Sequence, residues 1–480
     1  MSTPTSMALE DFLHPFLGRY LGAPGWIQAT AGHAYSWLPP RVRLGGAYGR
    51  FLDEVDAAGE AGCAAHLEST LRWALETVPA YRAYRGLLDG KRDPRVALLD
   101  LPVTDKLDIK RHPAQYLSMA APAASRLTMF TGGSTRNPLQ FYVQKHVTRP
   151  KEAAFIQAFR ARAGVERGAL VLALRGRTVP SAAQPGGRIW MHDPVKGQLV
   201  LSSDHLERRY MPAYAEALAL HRPAYIEAFP SALFPLARWL AANPLPEFTR
   251  GVKGVMLYSE NVYGFQMEKF REVFGCPILS HYGHSERVLM AATMPDDDRY
   301  FFWPRYGHFE LLDAENRPVT QPGKLGFVVG TSYDNEVMPF VRYRTGDLAV
   351  LSDRGHPLLP GFPACERIVG RLQEFIVCRD QRLVSVTTIG VAHFPELAEV
   401  EAIQYEQDRP GRLTLKVVAD HEIVGEHRAR IAAAVAAKTQ GGCDVEVVQV
   451  PAIARTPRGK ARMLVQNIDI RRYFGAACEA

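Results

Sequence analysis

The stretch Phe340-Val-Arg-Tyr-Arg-Thr-Gly-Asp-Leu-Ala-Val350 joins an apolar, strand-like pattern to a predicted tight turn that presents one carboxylate, Asp347. Because Gly346 adopts positive φ without strain, the turn can aim Asp347 off a strand end, where its carboxylate can accept two hydroxyl hydrogens at once. A vicinal diol such as a ribose fits that requirement. An ordinary hairpin turn is the alternative, and other residues of the chain favour the diol.

The composition is that of an ordinary globular protein. The 480 residues exceed what one hydrophobic core serves, so at least two domains are expected. Apolar residues make up 47% and charged residues 22%. A net charge of +7 and a pI near 9.0, without a long Lys/Arg block, favour small anionic ligands over nucleic acid. No leader pattern and no apolar run of membrane-spanning length is present, so a cytoplasmic protein is expected.

The six cysteines form no C-x-x-C pair and are too sparse for a disulfide framework, so free thiols are expected. Cys276, His281 and His284 lie close together in the sequence, but their spacing fits no zinc site. A core cysteine and two histidines in a pocket wall are the expected arrangement.

A polar loop lies within Ser125-Arg-Leu-Thr-Met-Phe-Thr-Gly-Gly-Ser-Thr-Arg-Asn-Pro138, before a predicted strand at 139–143. Backbone N–H groups beside its glycines, with the hydroxyls of Thr131, Ser134 and Thr135, can surround an anion without burying a charge. The loop lacks the Gly-Lys-Ser/Thr of a Walker motif, and a solvated hairpin is the alternative.

Between residues 165 and 282, apolar runs alternate with amphipathic segments. Strands are predicted at 168–175, 224–229, 254–258 and 276–279, and helices at 231–240 and 263–274. Ser231 is expected to cap the first helix and Gly275 to end the second. This alternation predicts a parallel sheet with helices on its faces, in which ligands bind beyond the carboxyl ends of the strands.

The segment Ser280-His-Tyr-Gly-His-Ser-Glu286 follows the last of these strands. Tyr282 offers a flat face for a base, and Gly283 permits close approach of a ligand. Ser285 can bond a phosphate oxygen and Glu286 can hold Mg²⁺. A polar loop without a ligand is the alternative.

After residue 300 the pattern becomes antiparallel, with meander strands predicted at 307–313 and 326–331. A domain boundary is expected near 371, which gives a large domain over 1–371 and a small α+β domain over 372–480. The small domain carries the basic loop Arg455-Thr-Pro-Arg-Gly-Lys-Ala461. The ammonium of Lys460 can be carried to an anion and withdrawn, and a solvated basic turn is the alternative.

Together these motifs resemble the adenylate-forming superfamily of acyl-CoA synthetases, and within it the phenylacetate-CoA ligase branch with its CapK-type relatives. The resemblance rests on five motifs in this order: Thr131-Gly-Gly-Ser-Thr-Arg-Asn-Pro138, Tyr282-Gly-His-Ser-Glu286, Tyr343-Arg-Thr-Gly-Asp347, Gly370-Arg371 and Thr456-Pro-Arg-Gly-Lys460. The expected fold class is therefore α/β, with a large N-terminal domain of mixed and parallel sheets, helices and a small β subdomain. A small, mobile α+β lid domain follows it.

The resemblance implies a two-step reaction. A carboxylic acid attacks the α-phosphate of ATP and pyrophosphate leaves; a second nucleophile, most often the thiol of coenzyme A, then takes the acyl group. The lid rotates between the steps about the residue matching Gln373, a position where Asp or Lys is common in the family.

The resemblance also implies a role for each motif residue. Thr131, Ser134 and Thr135 hold the β- and γ-phosphates, Tyr282 and Gly283 adjoin adenine, Ser285 contacts the α-phosphate, Glu286 binds Mg²⁺, Asp347 binds the ribose hydroxyls, Arg371 contacts ribose or phosphate, and Lys460 bridges the carboxylate and the α-phosphate. Tyr258, Ser259 and Glu260 at a strand end are expected to form part of the acyl pocket.

Three functions remain open at this stage. The leading one is an ATP- and Mg²⁺-dependent ligase that joins an aromatic or small carboxylic acid to coenzyme A or a carrier-protein thiol. The second is an adenylating enzyme that transfers the acyl group to an amine or hydroxyl. The third is a non-catalytic nucleotide- or nucleic-acid-binding protein, suggested by the basic pI and by Arg136 and Asn137, which replace the family's Gly and Lys. The sequence does not indicate an oligomeric state.

Overall fold

The computed structural model describes residues 9–13, 16, 25–55, 60–131, 139–166, 168–177, 179, 182, 187–203, 205–371, 374–389, 395–397, 400–454 and 461–473. The α-helices in these ranges are α1 (Leu9–Leu13), α2 (Gly25–Ser36), α3 (Pro40–Leu44), α4 (Gly46–Glu54), α5 (Glu60–Thr77), α6 (Pro94–Leu98), α7 (Lys106–Arg111), α8 (Thr148–Arg162), α9 (Met211–His221), α10 (Pro230–Ala242), α11 (Pro246–Thr249), α12 (Gly264–Phe274), α13 (Val386–Ile389) and α14 (Gly425–Lys438). Short 3₁₀ helices span Pro79–Lys91, Pro113–Tyr116, Ala123–Ser125, Arg208–Tyr210, Pro395–Leu397 and Ile470–Tyr473. None of the described helices is long and apolar enough to cross a membrane.

The strands of the same ranges are β1 (Arg126–Phe130), β2 (Gln140–Gln144), β3 (Val171–Leu174), β4 (Trp190–Asp193), β5 (Gln198–Leu201), β6 (Tyr225–Ala228), β7 (Gly254–Tyr258), β8 (Ile278–Gly283), β9 (Met290–Met294), β10 (Asp297–Phe302), β11 (Gly307–Leu312), β12 (Leu325–Ser332), β13 (Tyr343–Ser352), β14 (Ala364–Arg371), β15 (Phe375–Val377), β16 (Leu383–Ser385), β17 (Ala402–Arg409), β18 (Arg412–Val418), β19 (Asp444–Gln449) and β20 (Leu464–Gln466).

Twelve of these strands form one mixed sheet in the order β11-β12-β13-β14-β10-β9-β8-β7-β6-β3-β5-β4. Strands β5, β3, β6, β7 and β8 are mutually parallel, as the alternating pattern predicts. The antiparallel meander β11 to β14 is also as predicted, but it continues the same sheet through the β14–β10 and β10–β9 pairs. The predicted small β subdomain is therefore an extension of the main sheet.

The predicted turn before Asp347 is a bulge inside a strand. Strand β13 continues through Gly346, whose φ is 84°, and its pairing with β12 shifts between Arg344 and Leu348. A β-bulge adds residues to one strand of an antiparallel pair, often at a glycine with positive φ. Regular strand pairing resumes beyond the added residues. Asp347 is thus held within a sheet and does not project from a strand end.

Alternating residues of the parallel strands fill two separate cores. Leu172 and Ile226 face a core with α9, α10 and α12, whereas Val171 and Tyr225 face a core with α4 and α8. Strands covered on both faces read as continuous apolar runs, which is why their sequence pattern is strong. Helix α12 ends at Gly275 with a φ of 57°, as predicted.

The residues from 374 to 473 have a four-stranded sheet of their own, in the order β19-β18-β17-β20, and α14 packs on its core. That core also takes in Tyr263 and Phe265 from the larger part. Nη1 of Arg238 on α10 donates to the carbonyl oxygens of Val400 at 2.5 Å and Glu401 at 3.0 Å. The small unit is therefore docked against α10 and α12.

Candidate nucleotide and acid site

Two tyrosines and two carboxylates tie the central motifs together. The Tyr282 hydroxyl donates to Oδ2 of Asp347 at 2.9 Å, and the Tyr343 hydroxyl donates to Oε1 of Glu286 at 2.8 Å. Tyr282 lies four residues before Glu286, which Tyr343 binds. Tyr343 lies four residues before Asp347, which Tyr282 binds. Both carboxylates are buried, at 7% and 9% exposure. Reciprocal hydrogen bonds thus join the two motifs and bring the segments that carry Asp347 and Glu286 together.

Thr345 fixes the backbone beside Asp347. Its hydroxyl donates to the Val328 carbonyl at 3.0 Å and accepts from the Asp347 amide at 3.2 Å. Asp347 also lies opposite Arg371 in the β13–β14 register. The strand that carries the proposed ribose acid therefore adjoins the strand that ends in the Gly370-Arg371 motif.

The predicted phosphate loop connects β1 and β2, which form a hairpin. This hairpin packs against the core that contains Tyr282 and Tyr343. Thr131 closes the base of the loop, because its amide donates to the Leu139 carbonyl at 2.9 Å and its hydroxyl accepts from the Leu139 amide at 2.8 Å. Leu139 and the hairpin residue Phe141 share a core cluster with Tyr282 and Tyr343. Ser134 and Thr135 lie outside the described residues.

Two residues at the carboxyl ends of neighbouring strands have backbones in the left-handed region. Ser259, after β7, has a φ of 61°, and Arg287, next to Glu286, has a φ of 56°. Such conformations cost free energy for residues other than glycine and concentrate at functional sites. They fall at the edge where the parallel-sheet rule expects a ligand.

Ser231 links the small unit to this edge. It lies in the first turn of α10, where its amide and hydroxyl donate to Glu260 at 2.9 and 3.0 Å. The expectation that Ser231 caps the helix is wrong, because Phe229 is the N-cap and the Ser231 hydroxyl bonds the neighbouring loop instead. The Ser231 oxygen also accepts from the Ala461 amide at 3.4 Å. The chain directly after Lys460 is thereby held against the larger part.

Tyr258 stands on a buried charged cluster. Its hydroxyl donates to Oε1 of Glu227 at 3.3 Å, and the Arg175 guanidinium lies 3.9 Å from the centre of its ring. Glu227 pairs with Arg160 at 2.6 Å and with Arg175 at 3.0 Å. Burial raises the pKa of Glu227, but the two guanidinium groups outweigh burial and hold it below its ordinary value. The cluster places a carboxylate and a guanidinium group against Tyr258, a residue expected in the acyl pocket.

Known proteins share this arrangement of chain, although no protein-family model matches the sequence. A phenylacetate-coenzyme A ligase from Pseudomonas putida is 30% identical over 140 residues, which are 28% of this chain and 28% of that enzyme. The structure of 2-hydroxyisobutyryl-CoA ligase in its postadenylation state, in complex with R3-HIB-AMP, has a TM-score of 0.63 at 17% identity. The match covers 88% of this chain and 93% of the ligase.

This chain has the adenylate-forming fold. The same ligase in its thioesterification state, with 2-HIB-AMP and CoA, has a TM-score of 0.51 at 18% identity, again over 88% and 93% of the two chains. An acyl acid amido synthetase in complex with 2,4-DB has a TM-score of 0.55 at 13% identity, over 89% of this chain and 95% of that one. The fold inferred from the five motifs is confirmed.

The structure brings together only some of the residues expected in an adenylate-forming site. Tyr282, Glu286 and Asp347 are brought together by the Tyr282–Asp347 and Tyr343–Glu286 hydrogen bonds, and Gly283 and Ser285 lie between Tyr282 and Glu286 in the chain. The roles expected for them, and for Thr131, Tyr258, Ser259 and Glu260, stay predictions. Gln373 and Lys460 lie outside the described residues, and of Arg371 only the backbone is described.

No group of three or more His, Cys, Asp or Glu side chains is gathered as a metal site among the described residues. Mg²⁺ nevertheless binds commonly through one or two carboxylates together with the phosphates of a nucleotide. The single buried carboxylate of Glu286 fits that mode, in which the substrate completes the coordination.

Sequence reasoning missed several residues of the site. Glu227 is a charged residue in the otherwise apolar strand Tyr225-Ile-Glu-Ala228, and that contrast was a usable signal. Arg160 and Arg175 carry no comparable signal. The partner of Tyr343 was also missed, because only the register of the sheet brings it to Glu286.

Proposed function

We propose that this chain activates a carboxylic acid with ATP and passes the acyl group to a thiol, with coenzyme A as the acceptor. In the first step a carboxylate oxygen of the acid bonds to the α-phosphorus of ATP and the bond to pyrophosphate breaks. In the second step the thiol sulfur bonds to the acyl carbon, AMP leaves, and the thiol proton is released. The products are a thioester, AMP and pyrophosphate.

The reciprocal pairing of Tyr282 with Asp347 and of Tyr343 with Glu286 is the observation that carries the proposal. It joins the motif of an acid suited to a diol to the motif of an acid suited to a cation. ATP carries a ribose and binds Mg²⁺ through its phosphates, so one MgATP complex accounts for both acids. The adenylate-forming fold and the match to a phenylacetate-coenzyme A ligase support the same reaction.

Positive charge is what the first step needs most. The acid and the triphosphate repel each other, and negative charge grows on the α-phosphoryl oxygens as the new bond forms. Mg²⁺ bound by Glu286 would neutralise phosphate charge. We assign the second cation to Lys460, with Ser285 at the α-phosphate, Thr131, Ser134 and Thr135 at the β- and γ-phosphates, and Arg371 at the ribose or phosphate. In this proposal Gln373 is the hinge of the small domain, over 372–480.

Relatives support coenzyme A as the acceptor of the acyl group. The curated relative is named for coenzyme A, and 2-hydroxyisobutyryl-CoA ligase has been captured with its acyl-AMP and CoA. An acyl acid amido synthetase shares the fold, so an amine is the second candidate acceptor.

Acid-dependent exchange of labelled pyrophosphate into ATP tests the first step. A panel of carboxylic acids should include at least one that supports exchange, and Glu286→Gln should abolish it. A matched control is Asp313→Asn, a carboxylate on the meander that binds Arg317, which should leave exchange unchanged. No exchange with any acid would favour a non-catalytic nucleotide-binding protein instead.

Adding acceptors tests the second step. With an acid that supports exchange, coenzyme A should yield a thioester detectable by mass spectrometry. An amide formed with an amino acid, in place of the thioester, would assign the chain to the second candidate.

A further inference from the structure

One side of α10 carries contacts between the two parts of the chain. Ser231, Phe234 and Arg238 are spaced by three and four residues, so they lie along the same side of this helix. Ser231 accepts a hydrogen bond from the Ala461 amide at 3.4 Å. Phe234 packs on the core of the small unit, and its ring centre lies 5.0 Å from that of Phe265. Arg238 is about 10 Å farther along the helix than Ser231, since each residue rises about 1.5 Å.

Arg238 binds the backbone of the small unit. Its Nη1 donates to the carbonyl oxygens of Val400 at 2.5 Å and Glu401 at 3.0 Å, and its guanidinium carbon lies 6.0 Å from the ring centre of Phe234. Burial lowers the pKa of Arg238, in line with a guanidinium partly withdrawn from water. Hydrogen bonds from a charged donor are about twice as strong as those between neutral groups. A planar group beside an aromatic ring also loses little conformational freedom when it forms them.

The two bonds from Arg238 can form only while the small unit is docked. The small unit carries the acceptor carbonyls, whereas Arg238 stays on α10, so a rotation of the small unit separates them. A second polar link between the same two surfaces is of another kind. Arg208 pairs with Asp420 at 3.1 Å, but these side chains are 73% and 56% exposed. Exposed ion pairs contribute little, so the Arg238 bonds are the stronger link of the two.

We propose that Arg238 is a positioning residue that holds the small unit docked for adenylation and so sets the balance between the two steps of the reaction. The inference rests on the proposed function. Docking brings the residue directly after Lys460 to Ser231, whereas thioester formation requires the small unit to move. The ratio of the thioester-forming rate to the adenylation rate therefore rises with the ratio of undocked to docked molecules. A bond made in one state only shifts that ratio.

Single-turnover rates of the two half-reactions test this assignment. In Arg238→Ala, the rate of thioester formation from supplied acyl-AMP, divided by the rate of acyl-AMP formation, should rise by on the order of tenfold, because bonds from a charged group are lost. Arg238→Lys keeps the charge but replaces the planar fork by one ammonium group, so it should restore part of the natural ratio. An unchanged ratio in Arg238→Ala, or equal loss of both half-reactions, would overturn the inference.

Arg208→Ala is the matched control, because it removes an arginine that joins the same two parts through an exposed ion pair. The ratio of the two rates should stay within about twofold of the natural value in this variant. A change as large as that of Arg238→Ala would show that any weakening of these contacts has the same effect. That result would remove the specific role of Arg238.

Amide hydrogen exchange measured without substrates separates this inference from the proposed function. Docking protects the Ala461 amide, so Arg238→Ala should speed its exchange by on the order of tenfold, and Arg208→Ala should leave it unchanged. Faster amide exchange in a chain that activates no acid sinks the proposed function but supports the docking role of Arg238. Unchanged amide exchange and an unchanged rate ratio, in a chain that does activate an acid, overturn the inference and leave adenylation standing.

Discussion

At the scale of single residues, the two tyrosine hydroxyls have separable tasks. The Tyr343 hydroxyl bonds Glu286, the proposed Mg²⁺ ligand, and the Tyr282 hydroxyl bonds Asp347, the proposed ribose ligand. Both rings are buried, so replacement by Phe keeps the packing and removes the hydroxyl, which in Tyr282 also contacts Oγ1 of Thr345 at 3.4 Å. Each bond therefore fixes a different property of nucleotide binding.

Tyr343→Phe should raise the Mg²⁺ concentration needed for half-maximal pyrophosphate exchange by on the order of tenfold, because a hydrogen bond to a charged group is lost. Tyr282→Phe should leave the Mg²⁺ requirement unchanged and reduce discrimination between ATP and its 2′-deoxy analogue. Exchange measured against Mg²⁺ and against both nucleotides checks this crossed pattern. An identical effect of both variants on all parameters would contradict separate tasks.

His281 also makes stability depend on pH. Its pKa is about 4 in the folded chain and about 6.5 when unfolded, so the unfolded chain takes up a proton first as pH falls. Above pH 6.5 the histidine is neutral in both states and does not reduce the free energy of unfolding. Between pH 6.5 and pH 4 the free energy of unfolding falls progressively, by roughly 3 kcal/mol. Buried His308 adds a loss in the same window, since burial lowers its pKa to about 4. In urea unfolding measured between pH 7 and pH 4, the free energy of unfolding should fall less steeply with decreasing pH for His281→Phe than for the natural chain.

At the scale of elements, the exit of β14 is one of the places where the two parts of the chain are linked. Gly370 has a φ of 105°, and a methyl group there would lie 2.1 Å from Oε2 of Glu374 and 2.2 Å from Nδ2 of Asn261. Those two side chains are hydrogen-bonded to each other. The glycine thus leaves room for a bond between the large part and the start of the small unit.

Gly370→Ala should lower the free energy of unfolding by about 1 to 3 kcal/mol, through backbone strain and displacement of the Asn261–Glu374 bond. The control Gly355→Ala has no atom within 4 Å of the added methyl and no positive φ. It should stay within about 0.5 kcal/mol of the natural chain. Urea unfolding measures both, and a neutral Gly370→Ala would show that the contact adds no stability.

Elements that bury both faces could be predicted from the sequence, since their apolar runs permit few alternatives. The parallel strands and the meander were predictable for this reason, whereas the roles of Glu286 and Asp347 stay predictions. The bulge at Gly346 could not be told from a turn, because both need a positive φ. The Tyr343–Glu286 bond joins residues 57 positions apart, and only sheet register sets such a pairing.

At the scale of the whole molecule, the bond from the Ala461 amide to Ser231 holds the residue directly after Lys460 against α10, near the ligand edge. In the proposed reaction, the docked small unit supplies Lys460 for adenylation. Movement of that unit then withdraws Lys460 before the thioester forms.

Lys460→Ala should therefore lower the rate of acyl-AMP formation by roughly 10² to 10³, the scale of a lost transition-state donor. Conversion of supplied acyl-AMP to thioester should stay within a few-fold of the natural rate. Single-turnover assays of each half-reaction check this. Equal loss of both would remove the assigned role.

Asp347 on β13 and Glu286 in the loop between β8 and β9 belong to one continuous sheet, because β8 and β13 are joined through β9, β10 and β14. In the proposed reaction, release of AMP therefore depends on movement of the small unit and not on separation of the two carboxylates.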